Sequence, residues 1–280
     1  MGCERIDFRS GQNRRTVISV YHGKEMLVYQ YYSEGFFGYG QEGDFHPYGI
    51  WHLIPLLLLA AAVYFTWKNH ARLKGWKYEG RFRYLLSFVM LMAEMAYYWR
   101  LLYVGDEYGE FQMLTKLPIQ VCQWGLICCV YMITSQNDTL FGINFFITLG
   151  CTGIALFLPQ TVISCAGPRY FRYYQFWFGH ALPVYSTLYM MIVHGKRPRY
   201  RHLWYAIGCL ALAAIPSYFA NEAIPTANYL YVKLEIPLLP QNQLLRMLSY
   251  FVIISLLFHG MWFIWMKISR QTKKESGAEK

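Results

Sequence analysis

Charge is scarce in this sequence. Asp, Glu, Lys and Arg make up 15% of the 280 residues, where an ordinary soluble domain carries about 25%. With 55% hydrophobic and 19% aromatic residues, that shortage places the chain in a membrane. Cysteine is also sparse, and its count of seven is odd, which excludes a small secreted domain stapled by disulfides. Gly and Pro are ordinary in number, so neither a collagen-like nor a disordered chain fits. There is no C-x-x-C pair, H-E-x-x-H, glycine-rich phosphate loop, G-x-S-x-G elbow or dinucleotide fingerprint, so no metal and no cofactor are expected. The formal charge of +10 does not form one basic face. Lys and Arg fall in short clusters between apolar stretches, a topology signal, and no nucleic-acid partner is expected.

What is present is a series of apolar runs. A hydrocarbon core needs about 20 mostly apolar residues per helix, and that length yields seven predicted spans, at about 49–67, 83–103, 117–134, 140–158, 175–193, 202–221 and 246–267. The expected fold is an all-α polytopic membrane protein with seven transmembrane helices. Residues 1–47 read as a polar tail whose aromatic stretch Tyr29–Tyr39 suits the outer headgroup layer. Residues 48–267 form the membrane domain, and 268–280 a basic tail. Cations cluster after the first span (Lys68, Arg72, Lys74, Lys77, Arg81, Arg83), after the fifth (Lys196, Arg197, Arg199, Arg201) and at the end (Lys267, Arg270, Lys273, Lys274, Lys280). All lie on one side of a seven-span chain, so the positive-inside rule gives N-out, C-in. A multi-pass protein of a bacterial plasma membrane, with an extracytoplasmic N-terminus, is the expected setting.

Ionisable and thiol groups within spans are costly and mark functional hypotheses. His52, Cys122 and His180 each fall about 5–10 Å inside an outer helix end at 1.5 Å per residue, a depth they can share. Cys122 follows Leu117-Pro118-Ile119-Gln120-Val121, where Pro118 is expected in the first helical turn. Its bland reading is a small buried hydrophobe. Its chemical reading is a nucleophile whose proton His180 takes. His180 read blandly is a hydrogen-bonded interior residue. His52 reads as an interfacial anchor, a phosphate ligand, or an orienter of His180. Asn228 is a loop candidate for a third group or lid. Arg100 and Arg246 are expected to snorkel to lipid phosphates, and mid-bilayer Glu94 needs a partner, for which His259 is the candidate.

These motifs resemble the YwaF-like integral membrane family, which includes the eukaryotic transmembrane protein 164 lipid acyltransferases. The matching pieces are HPYGIWH (46–52), LPIQVC (117–122), FRYYQFWFGH (171–180) and ANYL (227–230). The resemblance implies a seven-helix fold that moves a fatty acyl chain between phospholipids through an acyl-cysteine, with Cys122 as nucleophile, His180 as base and Asn228 in a supporting place. The sequence departs from the pattern at Gln120, where similar relatives carry His, and Gln cannot take a proton near neutral pH.

The leading expectation is therefore a membrane-embedded lipid acyltransferase or acyl-ester hydrolase acting on a membrane phospholipid near the outer leaflet, with Gln120 or Asn228 as an oxyanion donor. The alternatives are a small-solute carrier, suggested by Pro159-Gln160 but lacking repeated halves, and a membrane assembly factor without chemistry.

Overall fold

The computed structural model describes residues 14–21, 24–31, 35–38, 45–104, 116–158, 167–224, 227–233 and 239–275. Pro159 and Gln160 lie outside them. The helices are α1 (Ile50–Lys68), the short α2 (His70–Lys74), α3 (Glu79–Val104), α4 (Val121–Ser135), α5 (Asp138–Phe157), α6 (Phe171–Ile192), α7 (Tyr200–Ala223) and α8 (Gln243–Glu275). Leaving α2 aside, one long helix coincides with each apolar run. Among them α1, α5, α7 and α8 are long and apolar enough to cross a membrane, and α4 is a shorter apolar helix. The chain is a membrane protein built of helices. The helices α3 and α6 have the length but carry the polar residues of the site described below.

Hydrogen bonds fix which links share an end. At one end Arg83 donates to the Ile133 carbonyl at 2.6 Å, His194 to the Glu79 carboxylate at 2.7 Å and Lys196 to the Gln136 carbonyl at 2.5 Å. At the other, Tyr98 donates to the Lys116 carbonyl at 3.0 Å and Leu117 N–H to the Tyr229 hydroxyl at 2.8 Å. Successive long helices therefore run antiparallel, and the cationic links gather at the first end.

Two local features were not anticipated. Residues Arg14–Tyr21 (β1) and Lys24–Tyr31 (β2) pair antiparallel, with Arg14 opposite Tyr31. The β-branched run Thr16-Val17-Ile18 favours a strand over an unstructured polar tail. The aromatic segment also docks on the helices. The Phe36 carbonyl accepts from Phe171 N–H at 2.7 Å, and the Phe37 ring lies 5.4 Å from that of Phe171.

The core sits between α3, α4, α5, α6 and α7, around Met90, Leu126, Met132, Phe141, Phe146, Tyr189 and Leu203. Asn137 starts α5 firmly, its side chain accepting from Thr139 and Leu140 N–H at 2.8 and 3.0 Å, an N-cap that satisfies two otherwise orphaned donors. Midway, residues Ile147–Thr152 widen into a π-helical turn, a feature common near functional sites. It packs on Gly125 of α4, whose missing Cβ would lie 3.3 Å from Ile147 Cγ2 and 3.5 Å from Thr152 Oγ1.

Candidate active site

Cys122 occupies the first turn of α4. Pro118 stands outside the helix, because Gln120 holds extended backbone (φ −74°, ψ 149°) as N-cap, and its N–H is bound by the Gln123 side chain at 3.2 Å. The helix thus begins three residues after the proline, a correction to the expectation that Pro118 opens it. The consequence is chemical. The first N–H groups of a helix have no partner inside it and carry its positive end, and the Cys122 sulfur lies against the N–H groups of Cys122 itself and Gln123.

The facing helix is α6, parallel to α4. Cys129 Sγ donates to the Pro183 carbonyl at 3.6 Å. Cys122 precedes Cys129 by two turns, on the same face and about 10 Å toward the end opposite the cationic links. Phe176 precedes Pro183 by the same two turns, so Cys122 and Phe176 stand level on facing stripes. His180 lies one turn below Phe176, and the two rings stack at 4.3 Å and 27°. That stack shows the imidazole leaning toward the helix N-terminus, as helical side chains do, and hence toward the level of Cys122. Cys122 and His180 thus stand on facing helices about one turn apart in level, and no hydrogen bond joins the thiol to His180 Nε2.

His180 is 7% exposed. Its Nδ1 lies 2.9 Å from the Phe176 carbonyl. A carbonyl only accepts, so Nδ1 carries the proton and Nε2 presents a lone pair. That Nε2 is buried with no hydrogen-bond partner, uncommon for a polar atom in a folded interior.

Three residues that the sequence did not single out complete the cluster. Arg172, second in α6, donates to Gln175 and lies 4.7 Å from the centre of the Tyr97 ring. It is within electrostatic reach of Cys122, Glu94, His180 and Tyr231. Gln123 donates to Glu94 at 2.7 Å and to the Tyr98 hydroxyl at 3.0 Å. Tyr231 follows Leu230 in a turn where both have left-handed backbone, φ 58° and 54°. Such strain in bulky residues is held only by surrounding contacts and gathers at functional sites. Here Gln120 supplies one contact, its carbonyl oxygen accepting Leu230 N–H at 2.9 Å.

The remaining candidates stand apart from that cluster. His52 accepts from Tyr48 N–H at 2.9 Å through Nδ1 and donates to the Leu156 carbonyl at 2.7 Å through Nε2, so both nitrogens tie α1 to the end of α5. Asn228 accepts Lys233 N–H at 2.8 Å and shapes its own turn. Arg100 and Arg246 are 4% and 3% exposed and do not snorkel. Arg100 clasps the Phe37 and Gly38 carbonyls at 2.9 and 3.0 Å, and Arg246 those of Pro240 and Val232 at 2.6 and 2.7 Å. Loop carbonyls that would otherwise be buried unpaired take these donors instead of lipid phosphates. His259 is not the partner of Glu94, which accepts from Gln123. It bonds the Tyr200 hydroxyl at 3.3 Å, near the opposite end.

The model of the TMEM164 family matches residues 47–269, which contain the whole cluster. The chain belongs to the TMEM164 family. No curated protein and no solved structure matches it. Among the described residues no group of three His, Cys, Asp or Glu is arranged to hold a metal. In this TMEM164-family chain, Gln120, the departure noted in the sequence, carries a structural load at the Leu230 turn, which a hydrogen-bonding amide suits.

Proposed function

We propose that this TMEM164-family protein is a lipid acyltransferase of seven spans, N-out and C-in, working near the outer leaflet with Cys122 as nucleophile and His180 as base. The observation that carries the reading is the buried, unpartnered Nε2 of His180, its lone pair aligned by the Nδ1 bond to Phe176, on the helix that faces the one bearing Cys122. His180 Nε2 takes the Cys122 proton, and the sulfur attacks the ester carbonyl of a phospholipid. The C–S bond forms, the ester C–O bond breaks, and the imidazolium returns its proton to the leaving lysolipid oxygen. The N–H groups at the start of α4 and the Arg172 guanidinium face the oxyanion that develops on the carbonyl. The ester must descend only about one helical turn below the headgroups, a depth that phospholipid esters occupy.

The test is acyl exchange between phospholipid and lysophospholipid in proteoliposomes. Cys122→Ala should abolish exchange, while Cys209→Ala, altering a half-buried thiol of α7, retains it. Exchange that survives Cys122→Ala overturns the mechanism.

A further inference from the structure

The link between α1 and α3 carries cations that the protein leaves unneutralised. Lys68, Arg72, Lys74, Lys77 and Arg81 are all exposed, and among the described residues none of them forms an ion pair. The one carboxylate of the link, Glu79, is already taken by Arg83, His194 and Tyr189. The link after α6 differs. There Lys196 pairs with Asp138, and Arg197 donates to the Met191 carbonyl at 3.1 Å. A topology signal needs only the presence of charge, so it does not account for five cations gathered in one link with nothing to oppose them.

The backbone holds these charges in place. Leu73 N–H donates to the Asn69 carbonyl at 2.9 Å, Trp76 N–H to that of Leu73 at 3.2 Å and Glu79 N–H to that of Trp76 at 3.0 Å, so the link is a run of hydrogen-bonded turns. The Trp76 ring lies 6.2 Å from that of Phe82, which lies 5.4 Å from that of Tyr189 in α6, and these contacts fasten the turns to the bundle. Lys77 Nζ and the Arg81 guanidinium both lie over the Tyr78 ring, 5.5 and 5.1 Å from its centre. Two like charges kept at one ring repel each other, and an anion beside them offsets that cost. Trp67, Trp76 and Tyr78 are exposed on the same stretch. Indole and phenol rings settle at the level of lipid head groups, so the cations stand where phosphates are.

We infer that this link is a binding site for an anionic phospholipid of the leaflet at the cationic end. Lys77 and Arg81 hold the phosphate, Lys68, Arg72 and Lys74 add to the attraction, and Trp67 and Trp76 lie against the glycerol and the upper acyl carbons. The occupant is a lipid and not a soluble anion because aromatic rings flank the charges, and because α1, the helix that leads into them, leaves its apolar surface almost wholly uncovered by the rest of the protein. The site stands at the end opposite Cys122 and does not rest on the acyl-transfer reading.

The experiment titrates purified protein in a neutral detergent with a fluorescent short-chain phosphatidylinositol bisphosphate, read by anisotropy. Wild type should bind it with an affinity that falls as salt rises. Unlabelled short-chain phosphatidylserine should compete, and phosphatidylcholine of the same chain length should not. Lys77→Gln with Arg81→Gln should weaken binding on the order of tenfold, since each cation near a charged lipid surface contributes severalfold. Arg72→Gln with Lys74→Gln should weaken it likewise, and stands in should the first pair lose its cooperative melt. Lys267→Gln with Arg270→Gln removes the same charge from exposed positions late in α8, a helix that packs on α7, and should change binding less than about twofold. Equal weakening by the α8 pair would make the attraction a diffuse field and overturn the site. Phosphatidylcholine competing as well as phosphatidylserine overturns it too, and so does a soluble inositol phosphate that competes as well as the lipid carrying the same head group.

Discussion

His180 Nδ1 lies 2.9 Å from the carbonyl of Phe176, the residue one turn earlier whose ring stacks on the imidazole. One bond thereby settles the tautomer, the ring plane and the atom left open to react. The nitrogen left open, Nε2, is the one that the proposed mechanism uses as base.

Removing it should separate the two. His180→Phe deletes a buried unpaired acceptor and keeps an aromatic ring, so thermal stability should be unchanged or higher. Acyl exchange should fall by about 10²- to 10⁴-fold, the usual contribution of a positioned base. Thermal melts alongside exchange assays check this. A large drop in melting temperature would make His180 structural.

Gly142 of α5 makes a sharper packing claim. A Cβ there would fall 1.7 Å from His202 Nδ1 and 2.6 Å from His202 Cβ, too close to the root of the side chain for a rotamer change to relieve. Gly142→Ala should destabilise by about 1–3 kcal/mol or more, and the double variant with His202→Ala, which removes the ring but keeps the Cβ at 2.6 Å, should recover only part of that. A denaturation series on the two single variants and the double variant measures the coupling.

At the cationic end, Glu79 accepts from Arg83 at 2.9 Å, His194 at 2.7 Å and Tyr189 at 3.1 Å, with Glu79 and Arg83 both mostly buried. Breaking a buried pair from one side leaves an uncompensated charge. Arg83→Ala should therefore cost about 3–5 kcal/mol, while the double variant Glu79→Leu with Arg83→Met should cost less than Arg83→Ala alone. Equal losses in the two proteins would contradict the ion-pair account.

Gln120→Ala removes the acceptor for Leu230 N–H and should let the strained turn at Leu230 and Tyr231 relax. Exchange activity is expected to drop about tenfold, one hydrogen bond's worth, while Gln120→Glu, which still accepts, retains most of it. Hydrogen exchange at Leu230 reports the turn directly, and unaltered protection there in Gln120→Ala would refute the role.

Much of this architecture is legible in the sequence, because bilayer thickness sets a length that apolar runs must meet, and among the described residues a helix falls at each run, four of them long and apolar enough to cross a membrane. Cys122 and His180 stand out for the same reason, since polar groups are expensive in those runs. What hid the rest of the site was geometry. Arg172 looks like one more cation at a helix end until its side chain is seen folded onto Tyr97. Gln123 gains meaning only when α4 packs on α3 and meets Glu94. The opposite error befell Arg100 and Arg246, whose charges suggested lipid phosphates when their donors are taken by loop carbonyls. The β1–β2 pairing was missed because a short alternating run reads weakly beside strong membrane helices.

The central claim is that the Cys122 sulfur carries an acyl group. Purified protein in vesicles of a phospholipid with one isotopically labelled acyl chain, digested and read by mass spectrometry, tests it most directly. A hydroxylamine-sensitive acyl adduct on the Cys122 peptide, absent in Cys122→Ala and formed at least about a hundredfold more slowly in His180→Phe, is the predicted result. Acyl turnover without any adduct at Cys122, or an adduct that forms as fast without His180, would contradict it.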